Sequence, residues 1–142
     1  MTTEVHDSPA EWVNDHIQKY VETDGAEGHY WRGVPTLLLT TKGRKSGELR
    51  RTALIYGEQN GSYFIVASQG GRPTHPSWYL NLEAEPLVHV QVAADKFDAR
   101  ARTADDEERK LLWPLMAEIW PDYNEYQKKT DRQIPIVVLD RV

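Results

Sequence analysis

The 142-residue sequence predicts a mainly-β member of the α+β class: a six-stranded antiparallel β-barrel with flanking helices. Three observations predict it. Short alternating or wholly apolar segments recur at hairpin distances through the middle of the chain. Between two of them lies Asn60-Gly61, the dipeptide that best suits a tight hairpin turn. Helix-period patterns are confined to the start, the neighbourhood of residue 80 and the stretch before the last strand.

Each element has its own signal. Ser8-Pro9-Ala10-Glu11 reads as a capping box with Pro at the first helical position, and Val13, Ile17, Tyr20 and Val21 mark one face of a helix that Gly25 ends. Residues 25–33 (GAEGHYWRG) are too glycine-rich for regular structure. Residues 34–41 (VPTLLLTT) read as a strand entering a turn, residues 51–57 (RTALIYG) as the returning strand, and residues 62–68 (SYFIVAS) as its partner across Asn60-Gly61. Paired glycines and two prolines make residues 68–76 a loop, followed by a short helix over residues 76–83. Residues 87–92 and 96–103 form a second hairpin, with Phe97, Ala99 and Ala101 on one face and Lys96, Asp98, Arg100 and Arg102 on the other. Asp105 and Asp106 suit the positive end of a helix running through Leu111, Leu112, Leu115 and Ile119, which Pro114 and Pro121 are expected to bend or divide. Residues 134–139 (IPIVVL) supply the last strand. There is no internal repeat or linker, so residues 1–142 are expected to form one domain, with residues 1–30 as an N-terminal helical extension.

Composition narrows the function. The chain contains no Cys, which excludes disulfides and thiolate metal sites. Its start lacks the basic and apolar regions of a signal peptide, and its apolar runs are far too short to span a bilayer, so the expected location is the cytoplasm. A net charge of −5 argues against general nucleic-acid binding, which needs an excess of Lys and Arg. Yet Lys42, Arg44, Lys45, Arg50 and Arg51 crowd one turn, TTKGRKSGELRRT, against Glu48 alone. Gly43 and Gly47 allow backbone N–H groups to point inward there while Arg and Lys surround the same point, which suits a phosphodiester or several carboxylates. A charged sheet edge that repels other sheets is the alternative, and on the residues alone both readings stay open. The five histidines show no metal-ligand spacing, so no metal is expected, and no G-x-S-x-G elbow marks a hydrolase. Five Trp and seven Tyr suit either a small core or a flat ligand.

The order GRKSGELRRT, YFIVASQGG, HPSWYLNL and WPLMAEIWPDYNEYQKKTDRQIPIVVL resembles the deazaflavin (coenzyme F420)-dependent nitroreductase and F420H2-dependent quinone reductase family over roughly residues 30–140. The resemblance implies a split β-barrel that binds F420. It implies that Arg44, Lys45, Ser46 and Arg50 grip the anionic tail of the cofactor. It also implies that Ala53, the stretch Ala67, Ser68, Gln69 and Gly70, and Trp78 lie beside that cofactor. Gln69 stands where relatives often carry Lys, and Ala53 where they often carry Pro. Trp120, Tyr123 and Tyr126 are spaced by three, as a packing stripe or a pocket wall would be. The resemblance makes them, with Ile55, the acceptor pocket. Trp120 and Ile55 replace tyrosines of nitroimidazole-reducing relatives, which implies poor nitroimidazole reduction.

The implied reaction is hydride transfer from reduced F420 to an electron-poor acceptor, with quinones ranked before unsaturated lactones and nitroaromatics. Ser68, Tyr123 and Tyr126 are the expected catalytic side chains, as hydrogen-bond donors and shapers of the pocket. FMN on a related split barrel is the rival cofactor, and a non-catalytic F420 carrier the rival role. A small molecule is the expected partner, with no nucleic acid and no transmembrane segment. Peripheral membrane contact and a homodimer both remain compatible with this pattern.

Overall fold

The computed structural model describes residues 5–7 and 11–142 of the chain, with side chains from Asn14 onward. The element order is β1 (Val5–Asp7), α1 (Glu11–Glu22), β2 (Tyr30–Trp31), β3 (Val34–Lys42), β4 (Leu49–Gln59), β5 (Ser62–Val66), α2 (Ser77–Ala84), β6 (Leu87–Val92), β7 (Asp95–Thr103), α3 (Asp106–Ile119), α4 (Asp122–Lys128) and β8 (Ile136–Arg141). The cap expected at Ser8 and Pro9 lies outside the described residues.

Six strands close on themselves in the order β3-β4-β5-β8-β7-β6 and back to β3, every pair antiparallel. This is the expected barrel. Two short strands extend it: β1 runs parallel to β4 at Leu49–Arg51, and β2 folds back onto the start of β3. The glycine-rich segment over residues 25–33 thus holds a two-residue strand that its composition concealed. At Asn60-Gly61 both residues have positive φ (54° and 80°), as a tight hairpin turn demands.

β4 begins at Leu49, two residues before the expected start, and this extension shapes the molecule. Residues 49–55 of β4 pair with β3, whereas β5 pairs only from Tyr56 onward. With β1 covering Leu49–Arg51, the second edge of β4 from Thr52 to Ile55 pairs with no strand among the described residues. The barrel wall is split there.

The wholly apolar runs have a common cause, namely that both faces of their strands are covered. In β3, Leu37 and Leu39 point into the barrel core, while Leu38 packs outward beneath Ile17 and Tyr20 of α1. In β5 and β8, Ile65, Val137 and Leu139 fill the barrel, and Phe64, Val66, Ile136 and Val138 meet Leu112, Met116 and Tyr123 of α3 and α4. β7 has one covered face and alternates strictly, with Phe97, Ala99 and Ala101 buried. Helix α1 is fastened by Tyr20, whose buried hydroxyl donates to the Thr36 carbonyl at 2.9 Å and accepts from the Ala93 amide at 2.7 Å.

Asp105 and Glu108 form a reciprocal capping box at the start of α3. Of the two prolines, only Pro121 divides the helix, and it opens α4. Pro114 lies within a continuous α3 on its exposed face, where water can hydrate the carbonyl that the proline leaves unpaired. No helix among the described residues is long and apolar enough to cross a membrane.

Candidate active site

Two cavities meet at the split in the barrel wall. The larger, of about 620 Å³, is floored by the basic turn and walled by α2: Arg44, Lys45, Ser46, Arg50 and Arg51 face Ser77, Trp78 and Asn81 across it. The smaller, of about 250 Å³, is mostly apolar and aromatic, with Trp31, Trp120, Tyr123 and Tyr126 around Ala53, Leu54 and Ile55 of β4. They are continuous in the chain. Thr52 borders the basic cavity and Ala53 the aromatic one, while Gln69 lies on the first and its neighbours Ser68 and Gly70 on the second.

The basic turn is built differently from the expected anion nest. Its glycine amides are engaged internally, Gly43 N donating to Glu48 O at 2.7 Å and Gly47 N to Gly43 O at 2.8 Å. The Arg44 amide donates to Asn81 Oδ1. Side chains, more than backbone, therefore supply the positive field. They divide by role. The Arg44 guanidinium donates to the same Asn81 oxygen at 2.8 Å, and buried Asn81 in turn donates to Thr41 Oγ1 at 3.3 Å, so this arginine ties the turn to α2. Arg50 meets Glu48 at 2.9 Å in an exposed ion pair, and Lys45 has no hydrogen bond or ion pair among the described residues. Such a pair is weak and opens readily for an arriving anion. Arg51 borders this cavity but Lys42 does not.

The wall between the cavities is a short helical turn over Gln69–Gly71. It is held from behind by Arg132, whose guanidinium donates to the carbonyls of Arg72, Ala67 and Ser68 and to His75 Nδ1, at 2.8–3.2 Å. Each acceptor is uncharged or shared, and burial pushes the guanidinium pKa down from its usual value. At Gly71, with φ of 82°, an added Cβ would lie 2.6 Å from the Tyr126 carbonyl, so only glycine lets this turn pack against α4. Gln69 has a φ of 46° and reaches Thr74 Oγ1 at 3.1 Å. Ala67 borders neither cavity, because its side chain lies in the barrel core and its carbonyl belongs to the Arg132 clamp.

On the aromatic side, Trp120 caps α3 and Tyr123 and Tyr126 lie on α4, so the break at Pro121 turns the spacing by three into a curved wall. Tyr123 and Tyr126 meet edge to face with centroids 6.1 Å apart, and Trp31 and Trp120 approach to 5.5 Å. Burial, with the neighbouring Tyr126, pushes the Tyr123 phenol pKa well above its ordinary value, so it remains protonated at any working pH.

Of the residues expected at the site, Arg44, Lys45, Ser46, Arg50, Gln69 and Trp78 gather in the basic cavity, and Ala53, Ile55, Ser68, Gly70, Trp120, Tyr123 and Tyr126 in the aromatic one. Not expected from the sequence are Asn81 and Arg132, which hold the walls, and His16, Trp31 and Thr36, which border the aromatic cavity. Only the position of Asn81 in the SWYLNL helix offered a local signal.

A split antiparallel barrel with a cationic cavity beside an aromatic one is a scaffold that suits an elongated ligand, anionic at one end and flat at the other. Residues 12–141 match the model of the F420H(2)-dependent quinone reductase family, and the chain belongs to that family. It is an F420-dependent reductase enzyme whose cofactor is reduced coenzyme F420. An F420H(2)-dependent quinone reductase of Mycobacterium tuberculosis is 40% identical over 130 residues, spanning 89% of this chain and 87% of the relative. Among solved structures, an F420-H2 dependent reductase is 48% identical with a TM-score of 0.70, over 75% of this chain and 94% of its own. A second, described as a domain-swapped dimer, is 44% identical with a TM-score of 0.72, over 94% of this chain and all of its own.

Proposed function

We propose that the enzyme reduces a quinone, with the anionic tail of F420 in the basic cavity and its tricyclic head along Ala53–Ile55 beside the aromatic one. The observation that carries this reading is that the two cavities lie side by side along β4, Thr52 lining the basic one and Ala53–Ile55, on the unpaired edge, the aromatic one. The residues present fit the cofactor: cations crowd one end, and aromatic and apolar side chains the other. When bound, F420H2 supplies a hydride.

The chain does the rest. Lys45 and Arg50 hold the phosphodiester and the carboxylates of the tail, and Arg44 keeps the turn docked on α2 while adding its charge. Trp78, on the wall of the basic cavity, would pack against the cofactor, and the Ser68–Gly70 turn between the cavities would adjoin its head group. Trp31 and Trp120 narrow the opening of the aromatic cavity and exclude water, which strengthens every dipole inside it. Ser68 and Tyr126 offer hydroxyls to the acceptor oxygen, and Tyr123 holds Tyr126 in place. Flat quinones suit this cavity best, with unsaturated lactones and nitroaromatics as slower acceptors. The whole chain acts as one split-barrel domain carrying residues 1–30 as an N-terminal extension. The domain-swapped dimer among the structural relatives supports pairing of two copies, which light scattering tests.

The decisive experiment titrates the purified protein with oxidised F420 and then follows oxidation of F420H2 by menadione. Retention of F420 and turnover are expected; a co-purifying FMN with no F420 binding would sink the reading, and tight binding without turnover would leave a carrier. In the same assay Tyr126→Phe is expected to lower kcat by about tenfold, the loss of one hydrogen bond to a developing oxyanion, with unchanged F420 affinity. Parent-like kcat would remove its hydroxyl from the mechanism.

A further inference from the structure

Resting on that quinone reading, we infer that His16 of α1 turns its Nδ1 edge into the aromatic cavity, hydrogen-bonds the acceptor oxygen and protonates it.

The ring has one edge committed and one free. Its Nε2 lies 2.7 Å from the Gly28 carbonyl oxygen. A carbonyl only accepts, so the proton on this nitrogen is fixed. Cδ2, on the same edge, lies 3.4 Å from where a Cβ on residue 28 would stand, and Thr36 Oγ1 is 3.5 Å from Nε2. The Cδ2–Nε2 edge thus faces the turn before β2. His16 also borders the aromatic cavity, as does Thr36 beside Nε2, and Nδ1 has no hydrogen-bond partner among the described residues; the uncommitted Nδ1–Cε1 edge is the one we assign to the cavity. In the neutral ring Nδ1 is an acceptor; in the cation it carries the second proton, aimed at the cavity.

The placement answers a chemical need. Reduction of a quinone to a hydroquinone takes two electrons and two protons. Both electrons and one hydrogen arrive as the hydride of F420H2. The remaining proton leaves Nδ1, its N–H bond breaking as the O–H bond of the hydroquinone forms, and the neutral imidazole regains a proton from water. Among the side chains bordering the cavity, imidazole is the one type with two ring nitrogens, so that one can stay anchored while the other gives up and regains a proton; the Tyr123 phenol is held protonated by burial. The anchor at Gly28 serves the same end, since a ring pinned at one nitrogen presents the other without a search through orientations. Helix α1, fastened to the barrel by Tyr20 one turn later, therefore carries a catalytic residue.

Two substitutions separate anchor from acid. His16→Gln places an amide nitrogen near the Nε2 position and keeps the bond to Gly28, but removes the cavity-facing nitrogen. His16→Asn places an amide near the Nδ1 position. In steady-state assays with menadione, His16→Gln is expected to lower kcat about 100-fold, the scale of a lost general acid. Quenching of Trp31 and Trp120 fluorescence by menadione in the cofactor-free protein reads quinone contact without turnover. There His16→Gln is expected to bind about three- to tenfold more weakly, as for one lost hydrogen bond. His16→Asn should recover menadione binding without recovering kcat, which also covers the case of a Gln variant that folds poorly. Parent-like turnover and parent-like menadione quenching in His16→Gln would overturn the assignment. If the parent fails to retain F420, the cofactor reading fails instead, and the menadione arm still decides the contact of His16.

Discussion

Replacing Arg132 by alanine is expected to lower Tm by about 10 °C and to weaken F420 binding by at least about tenfold. The size follows from the clamp. One half-buried guanidinium satisfies three carbonyls and His75 Nδ1 on the segment that carries Gln69, which borders the basic cavity, and Ser68 and Gly70, which border the aromatic one. A hydrogen bond from a charged donor contributes about 1.5–3 kcal/mol, and water replaces part of what is lost at a half-exposed site, so about 3 kcal/mol is the expected net loss. A domain of this size shifts by roughly 3–4 °C per kcal/mol. Arg132→Lys should recover little, because an ammonium lacks the planar fork that reaches several acceptors at once. Thermal melts and an F420 titration measure both effects, and an alanine variant with the parent's Tm and affinity would show that the segment holds itself.

The second large effect belongs to Lys45 and Arg50. The double variant Lys45→Ala/Arg50→Ala is expected to lose about 100-fold or more in F420 affinity, at about tenfold for each charge-assisted contact, while Tm moves by no more than about 1 °C. The contrast follows from what these side chains do in the fold. Lys45 is bonded to nothing among the described residues, and Arg50 to an exposed Glu48 in a pair of the kind that contributes little to stability. Arg44 should behave differently: Arg44→Ala removes the bond to buried Asn81 that docks the turn, so stability and affinity should fall together. Isothermal titration at two salt concentrations checks the assignment, since an electrostatic grip on an exposed anion weakens as salt rises. A double variant that retains parent affinity would move the cofactor tail elsewhere.

Much of the site was legible because it lies on contiguous stretches with local signals. The basic turn, the Ser68–Gly70 turn and the Trp120, Tyr123, Tyr126 series each read from a dozen residues or fewer, and each lies against a cavity. The misreadings have equally local causes. Composition hid the two-residue β2, and the leading charges of β4 masked two residues that pair with β1 and β3. The glycines of the basic turn promised open backbone donors, yet the turn closes on itself and uses them.

What the chain's order of residues determined by itself is the six barrel strands and the helices, the barrel architecture, and the chemistry of each wall, since periodicity, turn residues and charge are properties of neighbours in sequence. Only the tertiary structure decided that β5 starts late enough along β4 to leave a split, that Arg132 reaches back some 60 residues to hold the dividing turn, and that His16 and Trp31 enter the aromatic cavity. These depend on register and on contacts between distant segments. A one-residue shift in pairing turns a side chain to the other face of a sheet, so such contacts leave no trace in local pattern.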